Sequence, residues 1–461
     1  MKKRSIALLL ILALVLSLCA VTAAAGEEAN GAVTPEEQTE AAPETQADSA
    51  EEASQTVQTT GEATAPVPEE GITTGGYNPE LSVLQPDPTG QLSFANVERR
   101  MRENNLSILA LQGNIDIIED IDYDELYEDL REQLNRIAQT QWGLVMAPPE
   151  MVGGEYEKDK TYDRLDQAYD AVREKFDAIK DGEMQEDNAD LVRQLKNLQD
   201  QIVVAGESTY IALAALETQE AALQRQLASL NRTVEELELR YQMGQVSALQ
   251  LQQTKAGRTQ LTSGLETLRM NIRSLKTQLE QLIGAEQTGE IVLGKVPEVT
   301  DKQLAAMDLE ADLLDYKARS YDLYAAAKTL EDAQETYKDD AAKYGYNEKK
   351  YEFRTAKRTW ETAQYTYNDT VQNYELKFRT LYAQVQDYKQ ILDAAKVSLE
   401  CEKASCAASE LKYKQGTISQ NALLDARDSL KEAEEKVQSA AGDLFSSYNT
   451  YRWAVEHGVL N

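Results

Sequence analysis

The sequence predicts an all-α protein built as two tandem repeats of long antiparallel coiled-coil helical hairpins, preceded by a disordered N-terminal linker. Three observations carry this reading. The segment Glu238-Leu-Arg-Tyr241-x-x-Gly244-x-Val246-Ser247 recurs as Glu410-Leu-Lys-Tyr413-x-x-Gly416-x-Ile418-Ser419, so the chain is an internal duplication. Strict heptads run through the arms beside both copies, as helices wound on one another require. Seven of the ten prolines precede residue 90, and the others are Pro148, Pro149 and Pro297, which leaves 298–461 free of the residue that breaks helices.

From the N-terminus, Met1-Lys-Lys-Arg4, the apolar run Ile6 to Leu18 and Ala23-Ala24-Ala25 have the three parts of a secretory signal. Residues 1–25 are therefore expected to direct export, with a retained signal acting as an anchor as the alternative. Leu18 precedes Cys19 where lipid-attachment signals want a small side chain, which argues against lipidation. No other run approaches the ~18 apolar residues a membrane helix needs. Residues 26–90 carry no Lys or Arg and are rich in Glu, Ala, Thr, Gln and Pro, a composition that buries no core and reads as a disordered acidic linker. Formal net charge is −32, and removal of Lys2, Lys3 and Arg4 with no acid lost takes it to −35. That acidity excludes nucleic acid as a partner, because phosphate binding rests on Lys and Arg, and the shortage of basic residues argues against a membrane-surface binder.

The first repeat, 91–285, ends in a hairpin. Before its tip, Leu223, Leu227, Leu230, Val234, Leu237 and Tyr241 alternate spacings of four and three; after it, Leu261, Leu265, Leu268, Ile272, Leu275, Leu279 and Leu282 do the same. Gly289, Gly294 and Pro297 mark a crossing linker, 286–305, to the second repeat, 306–461. There the arm after Gly416 carries Leu423, Ala426, Leu430, Ala433, Val437, Ala440, Leu444, Ser447 and Tyr451, with large and small residues alternating so that backbones approach closely. An arm of ~40 residues reaches roughly 60 Å. At each tip, a glycine followed by a β-branched residue and a serine suits a tight helix-helix corner. Tyr316, Tyr321, Tyr324, Trp360, Tyr367, Tyr374, Phe378 and Tyr382 fall mostly at helical spacing and fit either packing between helices or a wall with water on one side.

Catalytic chemistry has no visible carrier. His457 is the sole histidine and sits beside Gly458, as a capping or surface residue would. Cys401 and Cys406 lie roughly 140° apart around a helix, poorly placed to bridge each other and read as small packing residues. There is no phosphate-cradling glycine loop, nucleophile elbow or cysteine-histidine cluster, so no enzyme, no cofactor and no metal site is expected.

The pattern resembles the TolC-type outer-membrane efflux family. The match rests on the Tyr-x-x-Gly-x-x-Ser corners and on Leu92-Ser-Phe-Ala-Asn-Val97 through Arg102-Glu-Asn-Asn-Leu106, which looks like the family's opening helix, and it spans about Gln91 to Leu460. The resemblance implies a homotrimer whose helices close into a hollow barrel in the cell envelope, an efflux or secretion conduit. It also implies that Tyr241, Gly244, Val246, Ser247, Tyr413, Gly416, Ile418 and Ser419 dock a periplasmic-type adaptor, or membrane-fusion, protein bound to an inner-membrane pump. Two departures stand out. Many members place an acid six residues after the glycine, where this chain has Gln250 and Ala422, with Asp425 and Asp428 out of register. Where members insert two membrane strands per half, at 142–190 and 336–359, the residues here are charged and helix-like, so a helical-only relative is expected. The competing reading is a non-transporting coiled-coil scaffold or spacer of the cell envelope.

Overall fold

The computed structural model describes residues 86–460, and the expected signal and nearly all of the linker lie outside them. Among the described residues the protein is helical almost throughout. Helices α1 (Val97–Asn104) and α2 (Leu106–Glu119) lead to a first hairpin of α3 (Tyr123–Met146) and α4 (Glu155–Lys180). The 60-residue α5 (Glu183–Gln242) and α6 (Ala248–Leu282) form the second. After α7 (Asp301–Ala305) and α8 (Leu309–Arg319), the same order returns as α9 (Tyr321–Tyr344), the 64-residue α10 (Tyr351–Lys414) and α11 (Gln420–His457). At 1.5 Å per residue α5 and α10 are each about 90 Å long. The halves differ in one arm: α4 stops at Lys180 and α5 restarts after Gly182 in a left-handed conformation, whereas α10 runs unbroken.

Caps set the boundaries. Asn105 accepts from the backbone of Ser107 and Ile108, Asp122 from Asp124 and Glu125, Asp308 from Glu310 and Ala311, and Thr300 forms a capping box with Gln303. The heptads turn inward as expected. Leu265, Leu268, Ile272 and Leu279 of α6 are buried, as are Val234 and Leu237 of α5, and Leu423, Ala433, Ala440, Leu444 and Tyr451 of α11 are buried as well. Each fully buried leucine contributes about 1.5–3 kcal/mol. Tyr241, the last seam position before the first tip, departs from this: it is 45% exposed, because α5 ends one residue later and has no opposing arm to cover the ring.

Most of the predicted aromatic row packs between helices. Tyr316 stacks on Tyr374 and Phe378, Trp360 stacks on Tyr337, and the guanidinium of Arg193 lies 3.9 Å over the Tyr324 ring. Cys406 is buried but Cys401 is exposed, so packing accounts for only one of the two; both are free thiols. Residues 142–190 and 336–359 lie in or beside the hairpins α3/α4 and α9/α10. The strands among the described residues are the two-residue β1 (Gln91–Leu92) and β2 (Val292–Leu293), paired in parallel.

That short pair ties the start of the first half to the crossing between halves. Tyr210 of α5 donates its hydroxyl to Gly294 O at 2.7 Å and Leu92 O at 3.3 Å, and burial raises its pKa to about 12. Glu280 of α6 closes the crossing: its carboxylate accepts from Thr288 Oγ1 (3.0 Å) and from the backbone N–H of Gly289 (2.6 Å), Glu290 (3.2 Å) and Ile291 (3.1 Å). Between α5 and α11, Glu207 is 2% exposed and accepts from Asn449 Nδ2 and Trp453 Nε1, both at 2.7 Å. Burial raises the Glu207 pKa, with Arg452, Asn449 and Trp453 opposing. His457, at the end of α11, lies against Trp453 with ring centroids 4.4 Å apart and meets Asp200 at 3.6 Å.

Candidate docking surface at the hairpin corners

The two predicted corners are built from the same bonds. In the first, Gly244 N–H donates to Tyr241 O (2.9 Å) and Gln245 N–H to Arg240 O (2.8 Å); in the second, Gly416 N–H donates to Tyr413 O (2.9 Å) and Thr417 N–H to Lys412 O (3.0 Å). These nested bonds satisfy the last carbonyls of a helix, and they need a left-handed residue at the glycine. Gly244 has φ 73° and Gly416 φ 71°. Three residues on, Ser247 Oγ accepts from Gln250 N (3.1 Å) and Ser419 Oγ from Ala422 N (3.2 Å), so each serine caps the returning helix. Val246 and Ile418 precede those caps and Leu251 and Leu423 follow four residues after them, the positions of a hydrophobic staple; both leucines are buried. Gln250 and Ala422 serve through their backbone N–H groups.

The shared bonding extends to a cross-arm ion pair. Glu238 meets Lys255 at 2.6 Å and Glu410 meets Arg427 at 2.9 Å, the same separation along the chain in both halves. The hydrogen bond and charge of Lys255 hold the Glu238 carboxyl below its ordinary pKa.

Both corners stand at one end of the molecule. Asn421 Nδ2 donates to Glu236 Oε2 at 3.3 Å, and farther along Arg225 pairs with Glu435 at 2.8 Å and Arg232 with Asp428. Asp425 also lies 3.7 Å from Arg232, so the two out-of-register acids bind the two hairpins together. They line an open polar trough of about 360 Å³ with Ser229, Thr233 and Glu432.

Helix reversal accounts for the glycines, the serines and the β-branched residues. It does not account for the tyrosine rings, because Tyr241 and Tyr413 enter the turn only through their carbonyls. Their side chains are 45% and 40% exposed, beside exposed Leu239, Met243 and Leu249 at the first corner and Leu411 at the second. Isolated exposed apolar groups are ordinary, but the exposed Leu–Tyr pair recurs at matched places, Leu239 with Tyr241 and Leu411 with Tyr413, while Met243 and Leu249 have Gln415 and Asn421 as counterparts. The sequence marks the turn residues and carries Leu239 and Leu411 inside the duplicated segment without showing that they are exposed; Met243 and Leu249 have no sequence signal, since neither falls on a heptad position or recurs in the second corner. Among the described residues no group of His, Cys, Asp or Glu is arranged to hold a metal ion.

No family model and no curated protein matches the chain. Among solved structures, this all-α pair of hairpin repeats is similar to outer-membrane channels. The outer membrane protein VceC of Vibrio cholerae is 17% identical, with 60% of this chain and 73% of that one covered and a TM-score of 0.40. The Neisseria gonorrhoeae MtrE outer membrane channel is 16% identical over 80% of this chain and 89% of that one, at a TM-score of 0.46. CusC is 12% identical over 79% and 96%, at 0.45.

Proposed function

We propose that the protein is an efflux or secretion conduit component of the TolC type, exported to the cell envelope, that assembles as a homotrimer and docks an adaptor protein and its inner-membrane pump at the paired corners. The observation that carries this reading is the duplicated corner: two turns with matching hydrogen bonds, side by side, each presenting an aromatic ring that the turn itself does not use. A helical hairpin from an adaptor meets such a surface by packing against exposed Tyr241, Tyr413 and their leucine neighbours.

Assembly with further copies is supported by apolar stripes left uncovered on the single chain. Tyr365, Leu376, Ile391 and Val397 of α10 are 52% to 74% exposed and fall within about 120° of arc on that helix. Leu106, Leu109 and Ile117 of α2 form a similar exposed row. Neighbouring chains packed along these rows would cover them.

The test has two parts. Light scattering and negative-stain imaging of the purified protein should show a trimer with a central hole; a slender monomer or dimer with no hole would favour the scaffold reading. Tyr241→Asp with Tyr413→Asp should abolish adaptor capture while circular dichroism stays unchanged, and undiminished capture would overturn corner docking.

A further inference from the structure

At the end opposite the corners, α3 and α9 run past the start of α5 and continue away from it. Glu119, the last residue of α2, meets Lys196 of α5 (3.1 Å) and Tyr123, the first of α3, meets Asn188 (2.8 Å), so the chain enters α3 running antiparallel to α5. In the same way Tyr324 of α9 meets Asp190 and the later Lys328 meets Glu186. From the level of Asn188 the end of α3 lies about 35 Å farther on and the end of α9 about 27 Å, at 1.5 Å per residue.

The two tips have a chemistry unlike the rest of this acidic chain. Residues 137–149 contain no charge. Around that tip Trp142 (65%), Val145, Met146 (62%), Met151 (81%) and Tyr156 (75%) are exposed. The nearby Lys158 is turned inward on the backbone, donating to Val145 O (2.9 Å) and Ala147 O (2.8 Å). At the second tip, Tyr346 and Tyr351 are exposed in a segment, 343–358, that carries Lys343, Lys349, Lys350, Arg354, Lys357 and Arg358 against Glu348 and Glu352, with Asp339 and Asp340 one turn before it. The chain as a whole is −32, so this is a local basic island.

We propose that these two hairpin tips dock the protein on an anionic lipid surface. The Trp/Met tip, in which Glu150 and Glu155 are the charges between Ile137 and Tyr156, enters the headgroup boundary with its apolar side chains, and the Tyr/Lys tip holds acidic headgroups. Trp and Tyr favour that boundary because an apolar ring and a polar edge are both satisfied there. Basic residues near it gain from the negative surface potential, and the exposed Trp142, Met146 and Met151 find in lipid an apolar layer that the charged surface of a second acidic chain does not supply. The overall charge hides this, because the excess acid lies elsewhere. The proposal does not rest on the conduit reading: docking needs no closed trimer and no adaptor, so either can fail alone.

The experiment is vesicle flotation of the full chain with phosphatidylcholine vesicles, with and without phosphatidylglycerol, together with tryptophan emission and quenching by brominated lipid. Any attachment through residues 6–18 is common to every variant, so only tip-dependent changes count. Trp142 is the exposed tryptophan, whereas Trp453 is buried and Trp360 is stacked, and Trp142→Phe identifies its share of the signal. The expected result is a blue shift and quenching of Trp142. Met146→Asp with Met151→Asp should lower vesicle binding by about tenfold or more. Lys349→Ala with Lys350→Ala should lower binding by about thirtyfold on anionic vesicles and little on neutral ones. Trp142 emission indifferent to lipid, or tip variants that bind as the unaltered chain does, would overturn the proposal. So would tip variants that change the protein's mass in solution without changing lipid binding, which would assign the tips to a second copy.

Discussion

Replacing Glu280 by glutamine removes one oxygen acceptor and one charge from a site where four donors converge. With the side chain in the same rotamer, the amide oxygen keeps Thr288, Glu290 and Ile291, but the NH2 group faces the Gly289 N–H, which in the native protein sits 2.6 Å from the carboxylate. A charge-assisted bond is lost, a buried backbone donor is orphaned, and three remaining bonds become neutral. At about 1.5–3 kcal/mol for the first and 1–3 kcal/mol for the second, Glu280→Gln should destabilise the protein by about 3 kcal/mol or more. The pH dependence has a definite sign. Burial alone would raise the Glu280 pKa, but the hydrogen bonds from Gly289, Thr288 and Ile291 outweigh it and hold it below the ordinary 4.5. A depressed carboxylate contributes stability that is fully present above its unfolded-state pKa and is lost as pH falls through the folded one. Urea unfolding at pH 7 should therefore show the full gap between the two proteins, and the gap should narrow in acid as the native carboxylate protonates. A gap under about 1 kcal/mol at pH 7, or one that does not narrow, would refute the account of Glu280 as the clasp of the crossing segment.

Three further outcomes follow from named contacts. Gly458→Ala should cost at least about 3 kcal/mol in thermal or chemical unfolding, because a Cβ there would lie 2.4 Å from the Arg319 carbonyl carbon at a φ of 72°; Gly416→Ala, with open space around it, should cost only about 1 kcal/mol of left-handed strain. Tyr316→Phe should raise the unfolding midpoint, since the Tyr316 hydroxyl is buried with no hydrogen-bond partner while its ring stacks on Phe378; a loss of stability would show that the hydroxyl is satisfied. Ser247→Ala should cost about 1 kcal/mol through the lost cap, and Ser247→Asp should restore it, as measured by urea unfolding.

Heptads and corners were legible because each depends on residues close in sequence. A 3.5-residue period places Leu265, Leu268, Ile272 and Leu279 on one face whatever lies opposite, and a glycine at φ 71° beside a capping serine is a local device. The buried acids were not legible. With 79 acidic residues in the chain, Glu207 does not stand apart from those on solvated faces because its donors lie up to 246 positions away, and Glu280, whose donors lie 8 to 11 positions on, does not because they are mostly backbone N–H groups that every residue carries. One faint signal existed for Glu207: it is the sole charge in the stretch Ile202-Val-Val-Ala-Gly-Glu-Ser-Thr-Tyr210. Cys401 shows the opposite failure, a small residue in a helical run whose facing turned outward. The basic island escaped notice because net charge averages over the whole chain, and the level of the two tips depends on which way α3 and α9 run beside α5.

The matched ion pairs Glu238–Lys255 and Glu410–Arg427 have one more consequence. Because each spans the same length of chain and encloses the same turn, residues 238–255 and 410–427 are interchangeable cassettes. Exchanging them preserves the register of both arms, so the identity of a corner is separable from its position in the chain. A protein with two first-half corners would keep both turns and both tyrosines while exchanging Asn421 and Asp425 for Leu and Gln, losing their bonds to Glu236 and Arg232, so the turn and the tie between hairpins are separately measurable.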